Sequence, residues 1–184
     1  MVKQGFQPCR PEGLFLLERE LHILEIEACQ QPGLGLGMRA VLQKQGGGVL
    51  LVKVVGKGGL PAGIGAKMCT PDKQVVVVCG DGSFQMSMYE LGTIAVNKVP
   101  IKILVMRNHY LGLVREHQEK TYEEHYFGVQ LYDYPKYAEI AAAYDMDYFH
   151  CDSNETLDAE LDRFLACDKA CIMVCEVDSH NNTK

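Results

Sequence analysis

The stretch Val75-Val76-Val77-Val78-Cys79-Gly80-Asp81-Gly82-Ser83-Phe84 decides the fold. Five consecutive apolar residues end at a glycine and an acid, which is how a strand buried on both faces of a parallel sheet reads. The pattern recurs at Ile101-Lys102-Ile103-Leu104-Val105-Met106, which ends at Arg107-Asn108. Between the two runs Phe84, Met88, Leu91 and Ala95 repeat at helical spacing, and Pro100 closes the connection. The segment reads as one β-α-β unit. Farther out, Tyr137, Ile140, Ala141 and Tyr144 predict a second helix, and Tyr148 to His150 a short strand. Leu157, Leu161, Phe164 and Leu165 predict a third helix, started by Asp152 or Ser153 as N-cap with Glu155 close behind. Cys171 to Val177 supplies a final strand. Strands alternating with helices predict an α/β fold: three layers, α/β/α, around a mostly parallel sheet.

The rhythm starts only after residue 57. The chain therefore divides into an N-terminal segment of unclear organisation, 1–57, and a binding domain, 58–184. In the first part Leu14, Leu17, Leu21 and Leu24 are spaced for a helix that packs on the core, among the glycine clusters Gly33–Gly37, Gly46–Gly48 and Gly56–Gly59. Gly35-Leu36-Gly37-Met38-Arg39-Ala40 fits a dinucleotide-binding pattern, but that pattern needs a preceding strand and Ala28-Cys29-Gln30-Gln31-Pro32 is a poor one. No Gly-x-x-x-x-Gly-Lys-Ser/Thr loop occurs.

Composition narrows the function classes. The 184 residues are 47% hydrophobic and 23% charged with a net charge of -6, the balance of one globular domain without the basic surface that nucleic acid requires. No apolar run approaches the ~20 residues that cross a bilayer, and the N-terminus lacks the basic-then-apolar order of a secretory signal, so the expected compartment is the cytoplasm. The eight cysteines read as reduced thiols. Cys167, Cys171 and Cys175 lack the paired knuckles of a zinc site and read as buried structural thiols.

The chemistry concentrates where the strands end. A carboxylate, Asp81, and a carboxamide, Asn108, follow successive strands, and ligands of open α/β sheets settle at the carboxyl ends of the strands. Both are hard oxygen donors suited to Mg2+, which is usually shared with substrate phosphates. Gly80 and Gly82 let the backbone approach a ligand, and the amides of Gly82, Ser83 and Phe84 at a helix start can receive anionic oxygens. The plainer reading makes Gly80–Ser83 a turn and Asn108 a cap, since all these residues favour loops.

Neighbouring residues separate the two readings. Gly80-Asp81-Gly82-Ser83-Phe84 followed by Asn108 resembles the thiamine-diphosphate signature, in which Gly-Asp-Gly is followed after a helix and strand by an Asn pair. Gly59-Leu60-Pro61-Ala62-Gly63-Ile64-Gly65-Ala66-Lys67 resembles the Gly-Leu-Pro-Ala-Ala-Ile-Gly-Ala segment of acetolactate synthase large subunits. Tyr110-Leu111-Gly112-Leu113-Val114-Arg115-Glu116-His117-Gln118 resembles their Tyr-Leu-Gly-Met-Val-Arg-Gln-Trp-Gln. The likeness runs from Gly58 to Val177 and implies the thiamine-diphosphate-binding fold.

By that resemblance Asp81 and Asn108 hold Mg2+ through their side chains and Tyr110 through its carbonyl. Gly80, Gly82 and Ser83 meet the diphosphate. Leu111, Gly112, Leu113 and Val114 lie along the cofactor, Leu113 near the aminopyrimidine and Val114 facing the reacting centre. The implied reaction, in branched-chain amino acid biosynthesis, decarboxylates pyruvate and passes the two-carbon unit to a second 2-oxo acid, with thiamine diphosphate as electron sink. FAD is a candidate cofactor only for the complete enzyme.

Departures limit the expectation. Arg107 replaces the first Asn of the pair, and His117 stands where the family has Trp. Val54-Val55-Gly56-Lys57 stands where the family has a segment whose Met supports the cofactor; Met38, a candidate substitute, lies about 18 residues too early to be assigned that role. The family's activating glutamate lies on a separate pyrimidine-binding domain across a dimer interface, so turnover is expected to need that domain or subunit in a homo- or hetero-oligomer, and no catalytic residue is assigned. The alternatives are another thiamine-diphosphate 2-oxo acid decarboxylase or carboligase, and a non-catalytic remnant. His109 lies inside the cofactor loop, within reach of the site, whereas His22, His125, His150 and His180 have no partner that the sequence identifies.

Overall fold

The computed structural model describes residues 58–177 together with three strands at 23–25, 38–43 and 49–54. Seven strands form one sheet: β1 (Ile23–Glu25), β2 (Met38–Gln43), β3 (Val49–Val54), β4 (Gln74–Gly80), β5 (Ile101–Arg107), β6 (Asp147–Cys151) and β7 (Cys171–Glu176). Their spatial order is β1-β2-β3-β4-β5-β7-β6. From β3 onward every neighbouring pair is parallel, whereas β1 and β2 join the β3 edge by antiparallel pairing. The helices are α1 (Gly59–Cys69), α2 (Asp81–Ser87), α3 (Glu90–Asn97), α4 (Gly112–Thr121), α5 (Tyr137–Ala143) and α6 (Asn154–Ala166). The mostly parallel α/β/α architecture is the predicted one.

Both faces of the central strands are buried, which is why their sequences are continuous apolar runs. On one face Val75, Val77, Ile101, Ile103, Val105, Ile172 and Val174 pack with Leu60, Phe84, Leu91, Ile94 and Ala141 of α1, α2, α3 and α5. On the other, Val76, Val78, Leu104 and Met173 pack with Leu157 and Phe164 of α6. Lys102 sits on the α6 face and is buried. Its ammonium donates to the carbonyls of Cys167 and Lys169, just past the end of α6, where orphan carbonyls and the helix dipole both favour a cation.

The single helix expected from Phe84 to Ala95 is two. The hydroxyl of Ser87 donates back to the Ser83 carbonyl at 3.1 Å. The amides of Leu91 and Gly92 reach only three residues back, to Met88 and Tyr89, a tight turn that re-aims the chain. In the N-terminal part, Leu24 lies in strand β1, not on a helix, while Leu14, Leu17 and Leu21 fall outside the described residues. Met38, Arg39 and Ala40 open strand β2, where a dinucleotide fingerprint would need a helix. Because β3 pairs with β4, the sheet reaches back across residue 57.

Gly63 is where α1 comes closest to the sheet. A Cβ there would meet Val77 Cγ2 at 2.1 Å and Ile101 Cδ1 at 3.0 Å. Alanine in a helix is favoured over glycine by about 1 kcal/mol, but overpacking a tight core costs roughly 1–3 kcal/mol. Gly63→Ala is therefore expected to lower the urea midpoint, as followed by far-UV circular dichroism; a raised midpoint would show that the helix can move off the sheet.

Burial also governs the thiols. Cys79, Cys151, Cys171 and Cys175 are buried, Cys69 is exposed and Cys167 half-buried. The Cys171 thiol donates to the Phe164 carbonyl at 3.7 Å. Burial pushes both Cys79 and Cys171 up to about 12 from an ordinary 9.0. A neutral thiol favoured by the fold stabilises it below pH 9.0, and that contribution is lost as pH rises through about 12. Two results are expected. At pH 8 a maleimide labels Cys69 in the native chain while Cys79 and Cys171 react only in denaturant, read by peptide mass mapping. The urea midpoint falls steadily above pH 9, and less steeply when Cys79 and Cys171 are replaced by alanine.

Candidate functional site

Asp81 is the first residue of α2, immediately beyond the end of β4. It is 3% exposed. Its Oδ1 accepts the Gly82 N–H at 2.8 Å and its Oδ2 accepts the His109 N–H at 2.8 Å. The second bond crosses from β4 to the loop after β5, so the two strand ends are fastened to each other through the predicted metal ligand. Register explains the meeting: Gly80 is paired with Met106. Asp81 and Asn108 therefore leave the sheet at neighbouring positions of its carboxyl edge.

Asn108 turns its Oδ1 to the Tyr110 N–H at 3.0 Å, an Asx turn that starts the loop. His109 follows in a left-handed conformation, φ 64. A non-glycine residue there costs roughly 1–2 kcal/mol, so the conformation must be held by its surroundings. The Leu131 N–H donates to the His109 carbonyl and the Leu111 N–H to the Val129 carbonyl, each at 2.8 Å. Tyr110 forms a bridge with Gln130. The segment 129–131 thus pins the loop, a role with no signal in the sequence beyond its apolar alternation.

Gly82 brings two predicted cofactor positions together. A Cβ on it would lie 2.6 Å from Leu111 Cδ2, so glycine lets Leu111 rest against the start of α2, and a larger residue would push that side chain aside. Gly112 then opens α4, a helix that the sequence reading does not predict. The Arg115 guanidinium lies over the rings of Tyr110 and Tyr126, 4.5 Å and 5.3 Å from their centroids. Gln118 exchanges two hydrogen bonds with the Phe127 backbone, at 3.0 Å and 2.9 Å, which closes the segment after the helix. Leu113 and Val114, on the first turn of α4, are 53% and 45% exposed. His117 is exposed and meets Tyr122 edge-on at 5.9 Å.

The electrostatics single out Asp81. Burial pushes its carboxyl up from the ordinary value, while the amides of Gly82 and His109 and the charges of His109 and Arg107 oppose the shift. Among the described residues its carboxylate forms no ion pair. Arg107, on the last position of β5, turns to Glu176 at 2.9 Å and lies over the Tyr137 ring, 5.7 Å from its centroid. Tyr137 itself packs on Phe84, and its buried hydroxyl has no hydrogen-bond partner among the described residues. A cleft of about 230 Å³ beside Arg107 is lined by Lys136, Tyr137, Glu139 and Tyr148 and holds none of the predicted site residues.

The described part of the predicted site is therefore one constellation: Gly80, Asp81, Gly82 and Ser83 on the β4–α2 junction, and Asn108, Tyr110, Leu111, Gly112, Leu113 and Val114 on the β5–α4 loop. Of the possible cofactor-supporting residues, Val54 ends β3 and Met38 is its antiparallel partner, so pairing brings Met38 to the same end of the sheet despite its distance along the chain. Residues 55–57 lie outside the described residues.

Comparison with known proteins identifies the family. Residues 56–175 match the thiamine pyrophosphate enzyme C-terminal TPP binding domain. The chain is 35% identical over 124 residues to the acetolactate synthase isozyme 2 large subunit of Escherichia coli (strain K12), covering 67% of this chain and 23% of that protein. It is 35% identical over 125 residues to the acetolactate synthase large subunit of Porphyra purpurea, covering 67% and 21%. With the acetolactate synthase of Arthrospira platensis identity is 41% over 90 residues, 48% of this chain and 16% of that one. The chain thus spans less than a quarter of the length of these relatives. Sheet order, the Gly80–Ser83 and Asn108–Val114 constellation, and a match covering well over half of the residues lead to one assignment: this chain belongs to the thiamine pyrophosphate enzyme C-terminal TPP binding domain family.

Proposed function

We propose that this chain is the diphosphate- and Mg2+-binding part of an acetolactate synthase-like enzyme. The observation that carries the proposal is Asp81: a carboxylate buried at the carboxyl edge of the sheet without an ion-pair partner among the described residues, bonded to the backbone N–H of His109, the residue that follows Asn108. A buried acid without an ion-pair partner among the described residues fits a divalent cation, and each of its oxygens retains lone pairs beyond the one N–H it accepts. In this reading Asp81, Asn108 and the Tyr110 carbonyl hold Mg2+, and Gly80, Gly82 and Ser83 meet the diphosphate. Leu111, Gly112, Leu113 and Val114 form the apolar wall along the cofactor. Bound thiamine diphosphate supplies the carbanion-stabilising chemistry that decarboxylation of pyruvate and carboligation to a second 2-oxo acid require.

What this chain contributes is binding and orientation. Asp81 is held by two amides, the loop after β5 is fastened to 129–131, and Leu111 seals against Gly82. The half-exposed Leu113 and Val114, with Tyr122, Tyr126, Phe127, Tyr132 and Tyr134 exposed on the following segments, form the apolar surface against which a pyrimidine-binding domain or subunit would close in an oligomer. The described helices include none long and apolar enough to cross a membrane, and the proposed compartment is the cytoplasm.

Calorimetric titration of the full chain with thiamine diphosphate, with and without Mg2+, tests the reading. Binding that requires Mg2+ is expected, weak because in this reading a pyrimidine-binding domain supplies the other half of the pocket. Heat that is absent, or indifferent to Mg2+, would overturn it. With a pyrimidine-binding domain added, carboligation rates on a panel of 2-oxo acids then separate an acetolactate synthase from another decarboxylase.

A further inference from the structure

Glu176, the last residue of β7, gathers three basic side chains from the carboxyl edge of the sheet. Its Oε1 meets Arg107 Nη1 at 2.9 Å and His150 Nε2 at 3.3 Å, and its Oε2 meets His109 Nε2 at 3.1 Å. The first two are ordinary strand-end pairs, from β5 and β6. The third is different, because His109 lies between Asn108 and Tyr110 in the loop that bears the proposed metal ligands.

His109 is held on every side. Its N–H goes to Asp81 at 2.8 Å, its carbonyl accepts from Leu131 at 2.8 Å, and its Nδ1 faces the Tyr132 carbonyl at 2.9 Å. The fourth contact, to Glu176, fixes the far end of the ring. The ring therefore runs from the loop to a carboxylate that is anchored in the sheet by β5–β7 pairing, Arg107 with Glu176. A loop residue in a left-handed conformation stays there only while such contacts over-determine it.

We propose that Glu176 is a positioning residue of the cofactor site: by gripping His109 from the end of β7 it keeps the Asn108–Tyr110 loop in the shape that presents its oxygens to the metal. The inference rests on the function proposed above for the loop. Glu176 touches neither cofactor nor metal in this reading, and reaches the loop through His109, while its pair with Arg107 holds the strand end from which the loop departs. Outer-shell partners of metal ligands commonly contribute about 10–100-fold to metal affinity, and Glu176 belongs to that class. His150 supplies the control, since it shares the Glu176 carboxylate but has no link to the loop.

Glu176→Ala and His150→Asn are compared in the full chain, first without ligand by amide hydrogen exchange of the 107–114 segment. Exchange is expected to speed up at least about tenfold in Glu176→Ala and to stay within about twofold in His150→Asn. Next, the Mg2+ concentration that half-saturates thiamine diphosphate binding is expected to rise about tenfold in Glu176→Ala alone. Unchanged exchange in Glu176→Ala, or equal effects in His150→Asn, would overturn the proposal. If circular dichroism shows Glu176→Ala to be unfolded, Glu176→Leu, which keeps the side-chain bulk, is read against the same outcomes. A native chain that shows no Mg2+-dependent binding would sink the proposed function, while the exchange comparison would still decide whether Glu176 holds the loop.

Discussion

Asp81→Ala is expected to raise the Mg2+ requirement for thiamine diphosphate binding by more than about 100-fold, beyond the 10–100-fold seen when only an outer-shell partner of a metal ligand is removed. The fold should survive the change. Two amides, of Gly82 and His109, lose their acceptor, at a cost of roughly 1–3 kcal/mol each where they stay buried. Against that, a carboxylate whose charged form is disfavoured by burial is removed from the interior. Asp81→Asn separates charge from contact, because it preserves the volume and one acceptor oxygen while discarding the charge. Both variants are expected to lose Mg2+-dependent binding in calorimetry and to retain native circular dichroism. Retained binding in either would mean that the cation is held elsewhere.

Phe164→Ala should produce the largest loss of stability. The side chain is fully buried on the α6 side of the sheet and meets Phe149 edge-on with ring centroids 6.0 Å apart. Truncating a buried phenylalanine costs about 3–5 kcal/mol, against the 5–15 kcal/mol that holds a typical domain together. The location makes the cost hard to avoid. Among the described residues α6 is the helix that packs on Val76, Val78, Leu104 and Met173, and none of the other described helices lies on that face to fill the cavity. Chemical denaturation measures the effect, and a loss below about 1 kcal/mol would show that α6 can collapse onto the sheet.

The strands β4, β5 and β7 were legible because burial on both faces leaves an unbroken apolar signature, as in Val75–Cys79. Ser153, one of the two expected N-caps, precedes α6, but its side chain makes no capping hydrogen bond. Helix α4 was not legible: Gly112–Thr121 buries no residue, so its sequence carries no apolar stripe, and contacts such as Arg115 on Tyr110 shape its surroundings. Strands β2 and β3 were hidden by the glycines around them, and Lys102 shows how a charge inside an apolar run can mark a helix end met from across the sheet. Asp81 and Asn108 were visible as strand-end residues. The bond that joins Asp81 to His109, and the grip of Glu176 on that histidine, depend on register between strands and could not be read from local sequence.

The β4–β5 ladder, paired from Val75 with Ile101 to Gly80 with Met106, has a consequence for kinetics. A slip of one residue would turn every buried side chain of either strand to the wrong face, so the two strand ends cannot slide past each other. The spacing between Asp81 and Asn108 is thus set when the domain folds, before any ligand arrives. Association at this half of the site should follow a single exponential whose rate rises linearly with ligand concentration, without the plateau of a slow rearrangement. Any hesitation in assembling the complete site would then belong to the closing of the proposed pyrimidine-binding partner.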